Sequence, residues 1–418
     1  MRFLHTSDWH LGRSLHRADL RQAQGAYLDH LVEVVRSQDV DAVLVAGDVY
    51  DRAIPPLDAV ALCEDGLVRL RDSGARVIVT SGNHDSARRL GFGSALADAA
   101  GVHLRTRAGS LAQPVLLEDR HGPVAVYGVP FLEPDAVRAE LPADPEADPA
   151  AGPEATAPRG HRGVLGRAVR CIRADTAARG GVRSVVMAHA WVAGGEATDS
   201  ERDISVGGVG RVPASLFDGF TYVALGHLHG PQTLAPHLRY SGSPLPYSFS
   251  EAGQVKGSWL VEVDATGTAR AERVPAPTFR TLSVLRGPLD KLLTSAAYAG
   301  QEDDFVSVVL TDASRPEGAM DKLRRRFPHV LVLAYEPDGA AADARSYRSR
   351  VAGRDDLAVT AEFIQHVRNE PVTPGERTLL SAAFEEVRRA DAEAERDGEP
   401  APPSGEGPAP SSHGPVEG

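Results

Sequence analysis

Val43-Leu44-Val45-Ala46-Gly47-Asp48-Val49-Tyr50-Asp51-Arg52 is the stretch on which the fold turns. Its first four residues are apolar without alternation. A strand that reads this way is covered on both faces, as in a parallel sheet flanked by helices. Gly47 breaks the run and Asp48 follows. A parallel strand delivers its last residue to the carboxyl edge of the sheet, where open α/β folds place their ligands. One aspartate at a strand end is most often a turn former or a helix N-cap. Its meaning depends on whether other strands bring partners to the same edge.

Working outward, residues 2–6 read as a short apolar strand that leads into Ser7-Asp8-Trp9-His10. Residues 18–37 carry Ala23, Ala26, Tyr27, Leu31, Val34 and Val35 at helical spacing. A helix is expected over 58–73, after Pro55-Pro56. The run Arg76–Thr80 then ends in Ser81-Gly82-Asn83-His84-Asp85. Strand, helix, strand in this order predicts βαβ units and a largely parallel sheet. Further strands are expected at 124–129, 184–188, 220–225, 238–241 and 258–263, the later ones completing a second sheet. Residues 141–163, rich in Pro, Ala, Gly and acids, read as a disordered surface insertion before a helix at 164–178. Composition changes at Pro275-Ala276-Pro277. Strand 305–310, helix 318–327 and strand 330–335 beyond it suit a small α+β domain over 276–340. Two amphipathic helices follow at 357–369 and 374–389, the second with Thr373 as N-cap and Pro374 at its first position. Residues 391–418 read as a disordered acidic tail.

Five strand ends now present potential ligands: Asp8 with His10, Asp48, Asn83 with His84, His189, and His227 with His229. In an extended segment residues i and i+2 share a face, so each spaced pair can aim two donors into one pocket. Oxygen and imidazole donors without thiolates suit Mn²⁺, Mg²⁺, Fe²⁺ or Zn²⁺. Even seven of these eight exceed what one octahedral ion takes while keeping water. They suit two ions sharing a carboxylate, about 3.5–4 Å apart. Asp48, on a central strand, is the natural bridge. Each motif alone has a plainer reading as a turn, a packed core histidine or a surface pair. Those readings would have to hold five times over, each directly after a strand. The other histidines, among them His5, His16, His30, His103 and His121, keep the plain reading.

Composition limits the partners. The net charge is −12, but residues 140–158 carry −5 and residues 391–418 carry −6, which leaves about −1 elsewhere. The acidity belongs to two segments and does not exclude DNA. Cys63 and Cys171 form no metal or redox motif, and a reducing cytoplasm is the simplest fit. The N-terminus has no apolar core of a signal peptide, and no run is long enough to span a membrane. Lys256, Lys291 and Lys322 are the only lysines, which reads as arginine-favouring codon bias.

In order, Asp8-x-His10, Gly47-Asp48, Gly82-Asn83-His84-Asp85, His189 and Gly226-His-Leu-His229 resemble the calcineurin-like metallophosphoesterases. Thr6-Ser-Asp-Trp-His-Leu-Gly12, Ser200-Glu-Arg-Asp203 with Val206-Gly-Gly208, and the text from Leu216 to His229 are similar to the SbcD family of DNA nuclease subunits. The resemblance implies a two-sheet α/β sandwich flanked by helices, with a small capping domain and C-terminal helices. It implies one metal held by Asp8, His10, Asp48 and His229, and another by Asp48, Asn83, His189 and His227, most simply Mn²⁺, with Mg²⁺ an alternative. His84, paired with Asp85, would face the scissile phosphate and protonate or stabilise the leaving oxygen. Arg13, Arg52, Arg88 and Arg89 lie near the site loops and are candidate phosphate contacts, and Lys322 with Arg324–Arg326 a candidate duplex contact.

The implied activity is double-strand exonuclease and single-strand or hairpin endonuclease in DNA repair, recombination and replication. A coiled-coil ATPase of the SbcC type would dock at residues 352–390, through Leu357, Val359, Phe363, Ile364 and Val367. ATP would belong to that partner, because this chain has no Gly-x-x-x-x-Gly-Lys-Ser/Thr loop. Two copies are expected to pair within a heterotetramer. Two rival readings stand beside this one. The first is a phosphoesterase acting on proteins or small molecules, since Gly47–Arg52 and Gly-Asn-His-Asp85 also resemble serine/threonine protein phosphatases, which carry Gly-Asn-His-Glu. The second is a DNA-end scaffold with an inactive site.

Overall fold

Alternate residues of the strand at 42–46 serve two different cores, and this explains its unbroken apolar run. Ala42, Leu44 and Ala46 point between two sheets, whereas Val43 and Val45 point to the helices outside. The computed structural model of the chain describes residues 1–147, 158–201, 210–337, 356–368 and 371–397.

In the first sheet β1 (Arg2–Thr6), β2 (Ala42–Ala46), β3 (Arg76–Thr80) and β4 (Val102–Arg105) run parallel. Helices α1 (Arg21–Ser37) and α2 (Leu57–Asp72) make the first two crossovers. Both pack on the outer face, where Tyr27, Leu28, Leu31, Ala59, Cys63 and Leu70 meet Val43, Val45, Val77 and Val79. The second sheet contains β5 (Val115–Asp119), β6 (Gly122–Val129), β7 (Arg183–His189), β8 (Tyr222–Gly226), β9 (Gln232–Ala235) and β10 (Leu238–Tyr240), in the order 5-6-7-8-10-9. Helix α3 (Gly160–Ala178) covers its outer face through Val164, Ala168, Val169 and Ile172. The chain then returns to the first sheet, so the strand expected at 258–263 belongs there and not to the second sheet. There β11 (Gly257–Val263) pairs antiparallel with β1, and β12 (Ala269–Pro275) pairs antiparallel with β11 at the edge. The layers are therefore helix, sheet, sheet, helix, with β2, β7 and β8 central.

The expected α+β unit is an all-parallel three-stranded sheet of β13 (Leu282–Gly287), β14 (Phe305–Leu310) and β15 (Val330–Tyr335), crossed by α4 (Leu289–Thr294) and α5 (Ala319–Arg326). It has its own core around Leu292, Val306, Leu323 and Phe327. Pro275–Pro277 separates sheets but not compact units, because residues 1–337 form one. Leu282 and Phe305 pack with Leu15, Leu20, Ala23, Leu245 and Tyr247 of the larger part.

Several expectations change at their edges. Residues 141–147 are not loose: Leu141 is buried, Asp144 pairs with Arg170 and the Pro142 carbonyl accepts from Arg167 Nε at 2.6 Å. Residues 160–163 are already helical, and residues 148–157 lie outside the described residues. The second unit, residues 338–418, holds α6 (Asp356–Arg368) and α7 (Pro374–Asp397). Its expected cap is present as a reciprocal box. Thr373 Oγ1 accepts from Glu376 N at 3.3 Å, and Glu376 Oε2 accepts from Thr373 N at 2.9 Å. Helix α7 runs through Asp397, so the first residues of the expected tail are helical, and residues 398–418 lie outside the described residues.

Candidate metal centre

The site is built where β1, β2, β3, β7 and β8 stop. Close approach of the loops requires glycine at two points. A Cβ on Gly47, whose φ is +86°, would lie 2.3 Å from His189 Nδ1. A Cβ on Gly82 would lie 2.1 Å from Asp48 Oδ1. Asp8, His10, Asp48 and His227 all have positive φ, between 45° and 105°. Each such residue costs about 1–3 kcal/mol, and strain of this kind gathers at functional sites. The expectation that Asp8/His10 and His227/His229 share a face in extended backbone is thus corrected. Both pairs lie past their strand ends, and left-handed residues turn the side chains inward.

Asp48 is the hub. Its Oδ1 accepts from His84 N at 2.9 Å, and its Oδ2 lies 3.6 Å from His10 Nε2 and 3.5 Å from His189 Nε2. On one side, His10 Nε2 and His229 Nε2 are 3.1 Å apart. On the other, Asn83 Oδ1 lies 2.9 Å from His189 Nε2 and 3.2 Å from His227 Nδ1. Asp8 accepts from His227 N at 3.0 Å, and its carboxylate groups with His10 and His229 and also with Asp48 and His189, all donor atoms within 4.8 Å of one another. All seven sequence-predicted donors therefore converge.

The chemistry of this set fits divalent cations. His189 donates Nδ1–H to the Ala46 carbonyl at 3.0 Å, so the neutral ring turns a lone pair toward Asp48 Oδ2. Two acceptors facing each other call for a cation between them. The buried atoms His227 Nε2, Asn83 Nδ2 and His10 Nδ1 have no hydrogen-bond partner. Burial holds the His10 and His227 imidazoles well below their usual range and pushes His189 down to about 4, so the rings are neutral and free to ligate. Burial, with repulsion from Asp48, holds the Asp8 carboxyl well above its usual range. Burial also lifts Asp48 to about 6. Cations would reverse that penalty.

The remaining candidates divide. His84 stands beside His10, with ring centroids 4.7 Å apart, and its Nδ1 donates to the Asp51 carbonyl at 2.8 Å. The expected His84–Asp85 pairing is corrected here. Asp85 accepts from Val49 N, Tyr50 N and Gly82 N at 3.1, 2.9 and 2.9 Å, so it ties the loop after β2 to the loop after β3. Its oxygens are engaged by backbone amides, and the Asp51 carbonyl orients His84 instead. Arg13 is integral to the site: Nη2 donates to the Ser200 carbonyl at 2.8 Å, and the guanidinium lies over Tyr247 at 5.0 Å. Arg52 is exposed at the rim and reaches only Asp51, at 3.5 Å. Arg88 and Arg89 are exposed on the following turn, Arg89 facing the Ala53 carbonyl. Asp203 and Val206–Gly208 lie outside the described residues. The plain readings hold for His5, which is buried between Tyr222 Oη and the Leu225 carbonyl, and for His16, exposed against Phe249.

Sequence reading missed the layer beneath His229. Ser200 Oγ lies 2.6 Å from its Nδ1, Glu201 accepts from its backbone N at 2.6 Å, and Glu251 and Lys256 are buried below. Burial would raise the Glu251 acid, but His229 and Lys256 outweigh it and hold it at about 2. The available signal was Lys256 itself, a rare lysine in an arginine-rich chain. Its Nζ donates to the His229 carbonyl, Ser243 Oγ, Glu251 and Gln254, which suits a compact ammonium better than a planar guanidinium.

Residues 1–133 match the family described as calcineurin-like phosphoesterase, and residues 278–368 match the SbcD C-terminal domain family, described as the type 5 capsule protein repressor C-terminal domain. The chain carries a calcineurin-like metallophosphoesterase domain and an SbcD C-terminal domain. The two-sheet architecture agrees with the first, and divalent metals belong to that family's chemistry. Among solved structures, the protein TT1561 of Thermus thermophilus is similar at 12% identity over 65% of this chain and 98% of that one, with a TM-score of 0.35. GAP50, the anchor in the inner membrane complex of Plasmodium, is similar at 9% identity over 81% and 98%, also at 0.35. At these scores neither structure bears on the function. Among the described residues, no helix is long and apolar enough to cross a membrane.

Proposed function

We propose that the chain is the nuclease subunit of an ATP-regulated DNA end-processing complex. It would degrade duplex ends as an exonuclease and cut single strands and hairpins endonucleolytically, in repair, recombination and replication. The observation that carries the chemistry is the convergence of six donors around Asp48, with His84 held beside them by the Asp51 carbonyl. DNA as substrate rests on the SbcD C-terminal domain match and on the sequence resemblance.

Asp8, His10, Asp48 and His229 would hold one ion, and Asp48, Asn83, His189 and His227 the other, with Mn²⁺ the first choice and Mg²⁺ the second. The ions would neutralise phosphodiester oxygens and supply an activated water. The protein's own residues do the rest. With its Nδ1–H given to Asp51, His84 presents Nε2 to the site, and in its protonated form Nε2–H can donate to the leaving oxygen. Asp85 keeps the two loops in register, which fixes the distance between His84 and Asp48. Arg13 supplies a positive charge at the Tyr247 side of the pocket.

The partner would be an SbcC-type ATPase docking on α6 and α7, where Phe363 and Leu379 are exposed. Ile54, Leu57, Phe92 and Leu96 of the phosphoesterase domain are also exposed, and apolar exposure of this kind is what pairing of two copies would use. The test is degradation of linear duplex DNA by purified protein with Mn²⁺. His84→Ala should lower turnover about a hundred- to ten-thousandfold while metal content is unchanged. Undiminished turnover in that variant would sink the role of His84. Faster turnover of a phosphopeptide than of a DNA hairpin would favour the phosphoprotein reading instead.

A further inference from the structure

His229 differs from the other donors in what stands behind it. Behind His189 is a main-chain carbonyl. Behind His229 is a relay of side chains. Its Nδ1 lies 2.6 Å from Ser200 Oγ, and Ser200 Oγ donates to Glu251 Oε1 at 2.6 Å. A hydroxyl whose proton is committed to a carboxylate receives the next proton, so His229 donates Nδ1–H and leaves Nε2 unprotonated. That Nε2 faces His10. The far end of the relay is anchored. Glu251 is 1% exposed, accepts from Tyr247 N at 3.3 Å and is bonded by Lys256 Nζ. Lys256, 8% exposed, also donates to the His229 carbonyl at 2.9 Å, so it grips the same residue from its main chain.

The near end comes from a different element. Ser200 belongs to the loop between β7 and β8, and a turn closed by Thr198 and Glu201 shapes that loop. Arg13 holds the Ser200 carbonyl, and Glu201 accepts from His229 N. His229 thus meets the loop through its ring and its backbone, and meets the Glu251–Lys256 pair through both as well.

We propose that Ser200 and Glu251, braced by Lys256, are positioning residues that set the tautomer and ring orientation of His229 and thereby the affinity of the metal position shared with Asp8 and His10. The inference rests on the proposed metal centre. The setting depends on Ser200 and Glu251 together, because the hydroxyl that receives from His229 gives its own proton to Glu251. Removing such an outer partner typically lowers metal affinity about ten- to a hundredfold.

The experiment is Mn²⁺ titration calorimetry on the full chain, with nitrogen-15 NMR of the histidine rings in the metal-free protein. Wild type should bind two ions and show His229 protonated at Nδ1. Ser200→Ala leaves no buried charge unpaired and should fold normally. It should weaken one of the two ions about tenfold, leave the other unchanged, and mix the His229 tautomers. Ser200→Thr, which keeps the hydroxyl, should restore both readouts. Glu251→Gln should weaken the same ion, and Glu251→Gln with Lys256→Met keeps the test alive if the single variant unfolds. Wild-type affinity for both ions in Ser200→Ala, with an unchanged tautomer, overturns the proposal. If wild type binds no ion, the metal-centre reading itself falls, and that outcome is distinct.

Discussion

The two ends of the donor cluster are built from different materials. At the Asn83/His189/His227 end the main chain gives the support: the Ala46 carbonyl fixes His189, and His227 is set by its own backbone amide on Asp8. At the His10/His229 end side chains give it: Ser200, Glu251, Lys256 and Glu201 surround His229, while Asp51, Arg13 and Tyr247 surround His10. A carbonyl at a strand end is fixed by the sheet and changes little with sequence. A side-chain cage can be retuned one residue at a time. One end is therefore set by the fold itself, and the other by side chains that substitution can change singly.

The hardest way to break this comparison is to remove what both ends share. Asp48→Asn should abolish binding of both ions and cost on the order of a thousandfold or more in turnover, because the charge stabilisation of the whole site goes with them. His189→Ala and His10→Ala should each weaken mainly one ion, by at least about a hundredfold, given that outer partners alone cost ten- to a hundredfold. Metal analysis of the three purified variants checks this. Retention of one tight ion by Asp48→Asn would show that the two ends do not meet at this carboxylate.

The hub was legible before the structure because β2 is buried on both faces, which leaves an unalternating run and an abrupt stop at Gly47-Asp48. Convergence was legible too, though part of its reason was not. Asp8, His10 and His227 reach the pocket through left-handed backbone, which no spacing rule for extended chain describes. Adjacency suggested that Asp85 pairs with His84, whereas two of its three bonds run to amides 35 and 36 residues away and the third to Gly82 N. Glu251 gave almost no local signal and Lys256 only its rarity, since the groups they hold lie in the β7–β8 loop and after β8. Among the strands, β4, β5, β9, β12 and β13 were missed; β12 is an edge strand whose alternating charges lack the apolar density of a central one.

Acidity offers a gentler probe of the two ends. Metal-free Asp48 titrates at about 6, whereas His189 titrates only at about 4. In the unfolded chain a carboxyl loses its proton near pH 4, so the raised Asp48 costs the metal-free fold stability as pH climbs from there through 6. The imidazoles act oppositely: unfolded histidine is protonated below about pH 6.5, so folding gains stability as pH rises from 4 to that point. Near pH 5, then, the rings are already open to metal and the carboxylates still hold protons. The rise in melting temperature on adding Mn²⁺ should be small at about pH 5 and large at about pH 7.5. A shift that does not vary with pH would mean that the carboxylates are ionised throughout.

The finest distinction lies between two arginines at the end set by side chains. Arg13 is 17% exposed, stacks on Tyr247, lies 3.7 Å from Asp51 and has a buried Nη1 with no partner. Arg52 is 78% exposed and lies 3.5 Å from the same carboxylate. An exposed pair of that kind contributes about 0–1 kcal/mol, so Arg52→Ala should change KM for DNA by no more than about fivefold. A guanidinium with a hydrogen bond still to give can add about 1.5–3 kcal/mol with a charged acceptor, so Arg13→Ala should raise KM about ten- to a hundredfold. Arg13 also holds the Ser200 carbonyl, so its loss should weaken the His229-side ion as well, which Arg52→Ala should not do. Equal effects of the two substitutions on KM, with both ions unaffected, would mean that the side-chain cage around His10 and His229 ends at Ser200 and does not reach the substrate.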